Sequence, residues 1–118
     1  MVEVASNDGY LLQHLVARSI PVLGVEPAVN VAVVARERGV PTHVAYLGEL
    51  EGRLLRDRHG GAALVVANNV FAHVPDVRDF SRGLAALLAD DGWLSIELPH
   101  LMRLIERSQY DTIYHDHF

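Results

Sequence analysis

Val2-Glu3-Val4-Ala5-Ser6-Asn7-Asp8-Gly9 is a short apolar run that breaks into turn-forming residues, and apolar side chains follow at Leu11, Leu12, Leu15 and Val16. The run reads as a strand over residues 2–5. The later spacing is that of one helix face, with Asn7 or Asp8 as its cap. The same alternation continues outward along the chain. Residues 21–26 predict a second strand centred on Val22, Leu23 and Val25. A helix over about 28–38 follows and stops at Gly39, a residue suited to the left-handed position after a helix. Residues 40–45 predict a short third strand, and 49–58 a helix carrying Leu50, Leu54 and Leu55 before Gly60-Gly61. Residues 62–67 are apolar throughout, as expected of a strand covered on both faces. Asp76 and Asp79 form a capping pair for a helix through Leu88. Asp91-Gly92 is a turn, 93–98 a fifth strand, and about 101–108 a last helix. Strands alternating with helices predict an α/β fold, a parallel sheet with helices on both faces.

Composition narrows the function. With 118 residues, half of them hydrophobic, the chain allows one domain with an aliphatic core. The formal charge of −5 argues against binding nucleic acid. All ten cations are Arg, which excludes a Schiff-base lysine or a phosphate-loop lysine. There is no Cys, hence no disulfide, thiolate nucleophile or Cys-ligated zinc. No apolar run approaches the roughly 20 residues of a membrane span, and the first residues lack the features of a secretory signal. A cytoplasmic protein with no membrane partner is expected.

In a parallel sheet of this kind, ligands sit beyond the carboxyl ends of the strands, near a switch in strand order. The residues to inspect are therefore 6–9, Glu26 and Pro27, Tyr46 and Leu47, 68–73, and Pro99 and His100. A dinucleotide-binding turn needs three glycines, and the first turn here has Gly9 alone. Asp8 and the nearby Glu3 would also repel a pyrophosphate. A cationic ligand without phosphate suits the turn better, and S-adenosylmethionine is such a molecule. Glu26 stands 17 residues beyond Gly9 at the end of the second strand, where a carboxylate can accept both ribose hydroxyls. Each residue alone has an ordinary reading, as a turn glycine and a solvated acid. Together they favour a bound adenosine ligand.

Residues 2–9, together with 67–76 (Ala-Asn-Asn-Val-Phe-Ala-His-Val-Pro-Asp) and 110–118 (Tyr-Asp-Thr-Ile-Tyr-His-Asp-His-Phe), resemble the motifs of S-adenosylmethionine-dependent sugar C-methyltransferases. These act on nucleotide-linked 4-keto-deoxysugars in antibiotic pathways, typically at C3. The resemblance covers essentially the whole chain and implies a Rossmann-like class I methyltransferase fold, truncated after the fifth strand. It implies that 1–118 is the cofactor-binding domain, without the cysteine-rich zinc domain and the C-terminal domain of the family. Two residues depart from the pattern. Ala5 stands where the family usually has Gly, and Asp116 where it usually has Glu.

The resemblance also implies roles. Ser6, Asn7, Asp8 and Gly9 would cradle the methionine part of the cofactor. Glu26, with Pro27, would hold the ribose. Tyr46 and Leu47 would border the adenine, and Asn68 would offer polar contacts. His117 would be the base, with Tyr114 and Asp116 orienting base and sugar. His73 would bind the sugar or the enolate oxygen. The roles of His115 and His100 stay open. The chemistry needs no metal, because a sulfonium methyl is already electrophilic.

Other readings stand beside these. The segment His115-Asp116-His117 is equally a solvated tail, or part of a two-histidine metal site for which spacing places no third ligand. His73 alone reads as a helix-entry residue, and Tyr110 and Tyr114 as a packing pair. As a whole, the chain is alternatively a cofactor-binding module without catalysis. A dehydratase or reductase on the same sheet is disfavoured by the single glycine and the lack of a Tyr-Lys pair. An uncovered fifth strand predicts self-association or a complementing chain.

Overall fold

The computed structural model describes residues 1–99 and 101–107. Its elements follow the expected alternation: β1 (Val2–Val4), α1 (Leu12–Val16), β2 (Leu23–Val25), α2 (Val29–Glu37), β3 (Thr42–His43), α3 (Glu49–His59), β4 (Ala62–Asn68), α4 (Val77–Leu87), β5 (Leu88–Glu97) and α5 (Leu101–Glu106). A single turn of 3-10 helix spans Phe71–His73. The five strands form one sheet in the order β3-β2-β1-β4-β5, and every pairing is parallel. The chain therefore builds outward from β1 to β3, then returns to the other side of β1 with β4. The switch in order lies between β1 and β4.

Alternation along β1 divides the core between the two faces of the sheet. Val2 and Val4 join Leu55 of α3 and Phe80, Leu84 and Leu87 of α4 in one buried cluster. A smaller cluster of Leu12, Ala35 and Val40 belongs to α1 and α2. Glu3, between the two valines, points to the α1/α2 side, and its backbone neighbours are Gly24 and Val66.

Several local expectations are revised. Neither Asn7 nor Asp8 caps α1, whose N-cap is Leu11 with no side-chain bond. Asp8 instead forms an ion pair with Arg38 at 2.7 Å. Asp76 caps α4 as expected, accepting the N–H groups of Arg78 and Asp79 at 2.9 and 3.0 Å. Asp79 does not return the bond, because its carboxylate accepts the Glu49 N–H of α3 at 3.1 Å. Close helix contact makes that possible. A Cβ on Gly52 would lie 2.5 Å from the Gly83 carbonyl oxygen, so only glycines let α3 and α4 approach this far. Finally, α4 ends at Leu87 and Leu88 already belongs to β5. Leu88 pairs with Ala62 and Trp93 with Leu64, so Asp91 and Gly92 lie in a bulge within the strand.

β5 is the edge of the sheet, and among the described residues no strand pairs with its outer side. Trp93 is 77 % exposed, and Leu94, Ile96 and Leu98 are exposed as well.

Two features of β1 and the turn after it carry strain or cost. Ala5 has φ of +56°, in the left-handed region. Its Cβ costs about 1–2 kcal/mol there, against about 0.4–1 kcal/mol of unfolded-chain entropy that a glycine would add. Ala5→Gly is thus expected to stabilise the chain by about 0.5–1 kcal/mol, read as a higher urea midpoint. Glu3 is 1 % exposed and its Oε2 has no hydrogen-bond partner. Burial alone pushes its carboxyl up from 4.5 to about 7. The native state then holds a proton that the unfolded chain has released. Stability from this group is therefore full below pH 4.5 and lost as pH rises through 7, a change of about 3 kcal/mol. Urea unfolding of Glu3→Gln at pH 5 and pH 8 should show little gain at the lower pH and a clear gain at the higher.

Candidate functional site

The switch in strand order opens a cavity of about 1320 Å³ across the carboxyl ends of β1, β2 and β4. Its floor starts at the turn after β1, where Val4, Ala5 and Asn7 face it. Asn7, like Ala5, is left-handed, with φ of +50°. That conformation turns the Asn7 N–H toward the end of β2, where Glu26 Oε2 accepts it at 3.1 Å. The other Glu26 oxygen accepts the Ala28 N–H at 2.9 Å. A carboxylate has about four acceptor positions, and these bonds use two. The remaining lone pairs of this 6 % exposed residue are suited to a pair of neighbouring hydroxyls.

One wall comes from the segment between β3 and α3, where Ala45, Tyr46 and Leu47 line the cavity. Tyr46 is 83 % exposed and offers a ring face to a planar ligand. The opposite wall follows β4. Asn68 lies at the cavity, and Asn69 bonds back to Glu97 of β5 through both its backbone N–H and its side chain, at 2.8 and 3.1 Å. The next turn carries His73 to the cavity edge, and Phe71 anchors that turn edge-on against Phe80, with ring centres 5.3 Å apart.

The charges at the cavity are of one sign. Glu26, Glu51, Asp76 and Asp79 line it, and no Arg does so among the described residues. Such a surface suits a ligand that carries positive charge and lacks phosphate, and it opposes a pyrophosphate. Among the described residues, no group of three or more His, Asp or Glu is placed to hold a metal ion. No described helix is long and apolar enough to cross a membrane.

The structure thus gathers Asn7, Glu26, Pro27, Tyr46, Leu47, Asn68 and His73 around one cavity. It sets three expected cofactor residues apart from the lining. Ser6 is fully buried, with its hydroxyl over Gly24, where a Cβ would come within 2.4 Å. Asp8 is held by Arg38. Gly9 supplies a left-handed turn, with φ of +76°, beneath Val40, whose Cγ2 would be 2.9 Å from an added Cβ. These residues shape the turn from behind. Tyr114, Asp116 and His117 lie outside the described residues, as do His100 and His115. Sequence reasoning missed Tyr10, Glu51 and Asp79, which also line the cavity. Glu51 stands on the first turn of the helix after β3, just beyond the residues singled out by the rule for strand ends.

Comparisons with known proteins agree with this geometry. A family of methyltransferase domains matches residues 2–94. C-methyltransferase NovU of Streptomyces niveus is 42 % identical over 118 residues, covering all of this chain and 28 % of that protein. A solved S-adenosylmethionine-dependent methyltransferase from Anabaena variabilis superposes with a TM-score of 0.70 at 17 % identity, covering 92 % of this chain and 49 % of that one. The structure of a DhpI complex with S-adenosylmethionine gives 0.62 at 22 % identity, covering 97 % and 53 %. The chain spans about a quarter to a half of these relatives. The sheet order, the cavity at its switch point and a match across residues 2–94 lead to one conclusion: the chain belongs to the methyltransferase domain family.

Proposed function

We propose that this chain is the cofactor-binding part of an S-adenosylmethionine-dependent C-methyltransferase whose substrate is a nucleotide-linked 4-keto-deoxysugar. The observation that carries the cofactor is the acid-lined cavity with Glu26 at its centre. The residues fit that ligand. Glu26 keeps lone pairs for the ribose hydroxyls, Tyr46 and Leu47 flank the adenine, and the carboxylates favour a sulfonium and an ammonium. The bound cofactor supplies an electrophilic methyl group. The likeness to NovU, a C-methyltransferase, supports carbon as the methyl acceptor, and the sugar substrate is what the motif resemblance implies.

The chain's own residues then have defined tasks. A carbon beside a ketone must lose a proton before it can attack a methyl group. By the family pattern His117 takes that proton, and Tyr114 and Asp116 orient it. His73, at the cavity edge, donates to the oxygen on which negative charge develops. This chemistry belongs in the cytoplasm, where nucleotide-linked sugars are made.

Calorimetric titration with S-adenosylhomocysteine tests the cofactor. Glu26→Ala should weaken binding about tenfold or more, given the strength of charge-assisted bonds. Because Glu26 also ties β1 to β2, that variant will lose stability too. Tyr46→Ala is the cleaner comparison. Its side chain is exposed, so weaker binding with an unchanged urea midpoint would assign Tyr46 to the ligand. A folded chain that binds nothing would sink the reading. Transfer of labelled methyl from S-adenosylmethionine to a keto-sugar nucleotide then separates an enzyme from a binding module.

The bare edge of β5 favours a binding module that needs more polypeptide for catalysis. Trp93, Leu94, Ile96 and Leu98 leave an apolar strip beside backbone groups that no strand pairs with among the described residues. In this reading the strip is covered by a complementing segment or, without one, by another copy. Sedimentation should show concentration-dependent association, reduced by Trp93→Lys. A monomer at all concentrations would count against it.

A further inference from the structure

We propose that His43 is a positioning residue for the cofactor cavity, holding the wall between β3 and α3 by clamping Glu51. The role rests on the cofactor reading above. The His43 Nε2 lies 2.6 Å from Glu51 Oε1. Both side chains are about a quarter exposed, at 25 % and 27 %, so the pair is partly shielded from water. The same residue also registers the ribose-side acid, since its carbonyl accepts the Glu26 N–H at 3.0 Å. One histidine therefore joins the end of β2, the end of β3 and the first turn of α3.

The wall needs such a clamp. Residues 45–48 and Leu50 line the cavity; Leu47 packs on the core and Gly48 lies against Gly83, whereas Tyr46 and Leu50 are 83 % and 81 % exposed. Tyr46 and Leu50 bury too little to set their own positions, which depend on how the flanking residues are held. The far end is pinned where Asp79 accepts the Glu49 N–H and where Gly52 rests on Gly83. The near end is held by the pairing of His43 with Val25, and the His43–Glu51 bond, with Nε2–H donating to the carboxylate, ties the two ends together. Without the imidazole, Glu51 turns to water and the segment becomes a freer loop. Ordering it again would then draw on the free energy of ligand binding, lowering affinity without removing any ligand contact.

The test uses the 118-residue chain as wild type, His43→Ala and His43→Gln. The Gln side chain can still place an amide N–H on Glu51. Two quantities are read: the S-adenosylhomocysteine dissociation constant by calorimetry, and amide hydrogen exchange in the unliganded chain. His43→Ala should weaken binding about fivefold to tenfold and speed exchange at residues 44–50, leaving β1 and β4 protected. His43→Gln should restore both within about twofold. Binding by His43→Ala within twofold of wild type would overturn the role. So would exchange that rises throughout the sheet, or a loss that Gln fails to repair, since each marks general destabilisation. No binding by the folded wild type would overturn the cofactor reading and this role with it. Binding by wild type with no effect at His43 would overturn this role alone.

Discussion

The Glu26 carboxylate, reaching one oxygen to the Asn7 N–H and the other to the Ala28 N–H, is the interaction on which the cavity depends. It joins the turn after β1 to the start of α2. Charge-assisted bonds to backbone N–H groups are among the stronger ones in a protein. They hold the first turn in a course that passes twice through the left-handed region, at Ala5 and at Asn7. Asparagine accepts that conformation with little penalty, whereas alanine does not. The strain at Ala5 is local, and it lies beside the cavity, where strained backbone often marks a working site.

Electrostatics and architecture reinforce each other around this bridge. Asp76 and Asp79 each satisfy the N-terminal N–H groups of a helix, α4 and α3 respectively. Their charges are thus fixed in direction by the same bonds that start the helices. Glu51 is held by His43. The cavity acquires its negative lining as a by-product of stable helix starts, and a cationic cofactor is the ligand it suits. Glu3, buried behind the turn, adds a polar group whose charge the surroundings disfavour.

Among the described residues the sheet has two unequal edges. β3 is a two-residue edge, too short to offer much to a partner. β5 has ten residues and exposes apolar side chains from both its faces. A long, apolar edge is the kind that recruits another strand.

Much was readable before any coordinates. The strands and helices come in the expected order, because apolar runs such as 62–67 and helix-period patterns such as Leu50, Leu54 and Leu55 are local signals. The rule for ligands at strand ends points to Asn7, Glu26, Tyr46, Asn68 and His73, and these line one cavity, since a parallel sheet brings those ends together. Tertiary structure alone decided the rest. Asp79 looked like a partner for its own helix but caps another one, because Gly52 and Gly83 let the two helices meet. Asp91 and Gly92 read as a turn and lie in a bulge inside β5, between the pairs Ala62–Leu88 and Leu64–Trp93, because β4 pairs with the strand on both sides of them. Ser6, Asp8 and Gly9 share the right turn with Asn7, yet they face Gly24, Arg38 and Val40. Which side of a turn a residue serves depends on what packs behind it, and that is a property of distant segments brought together.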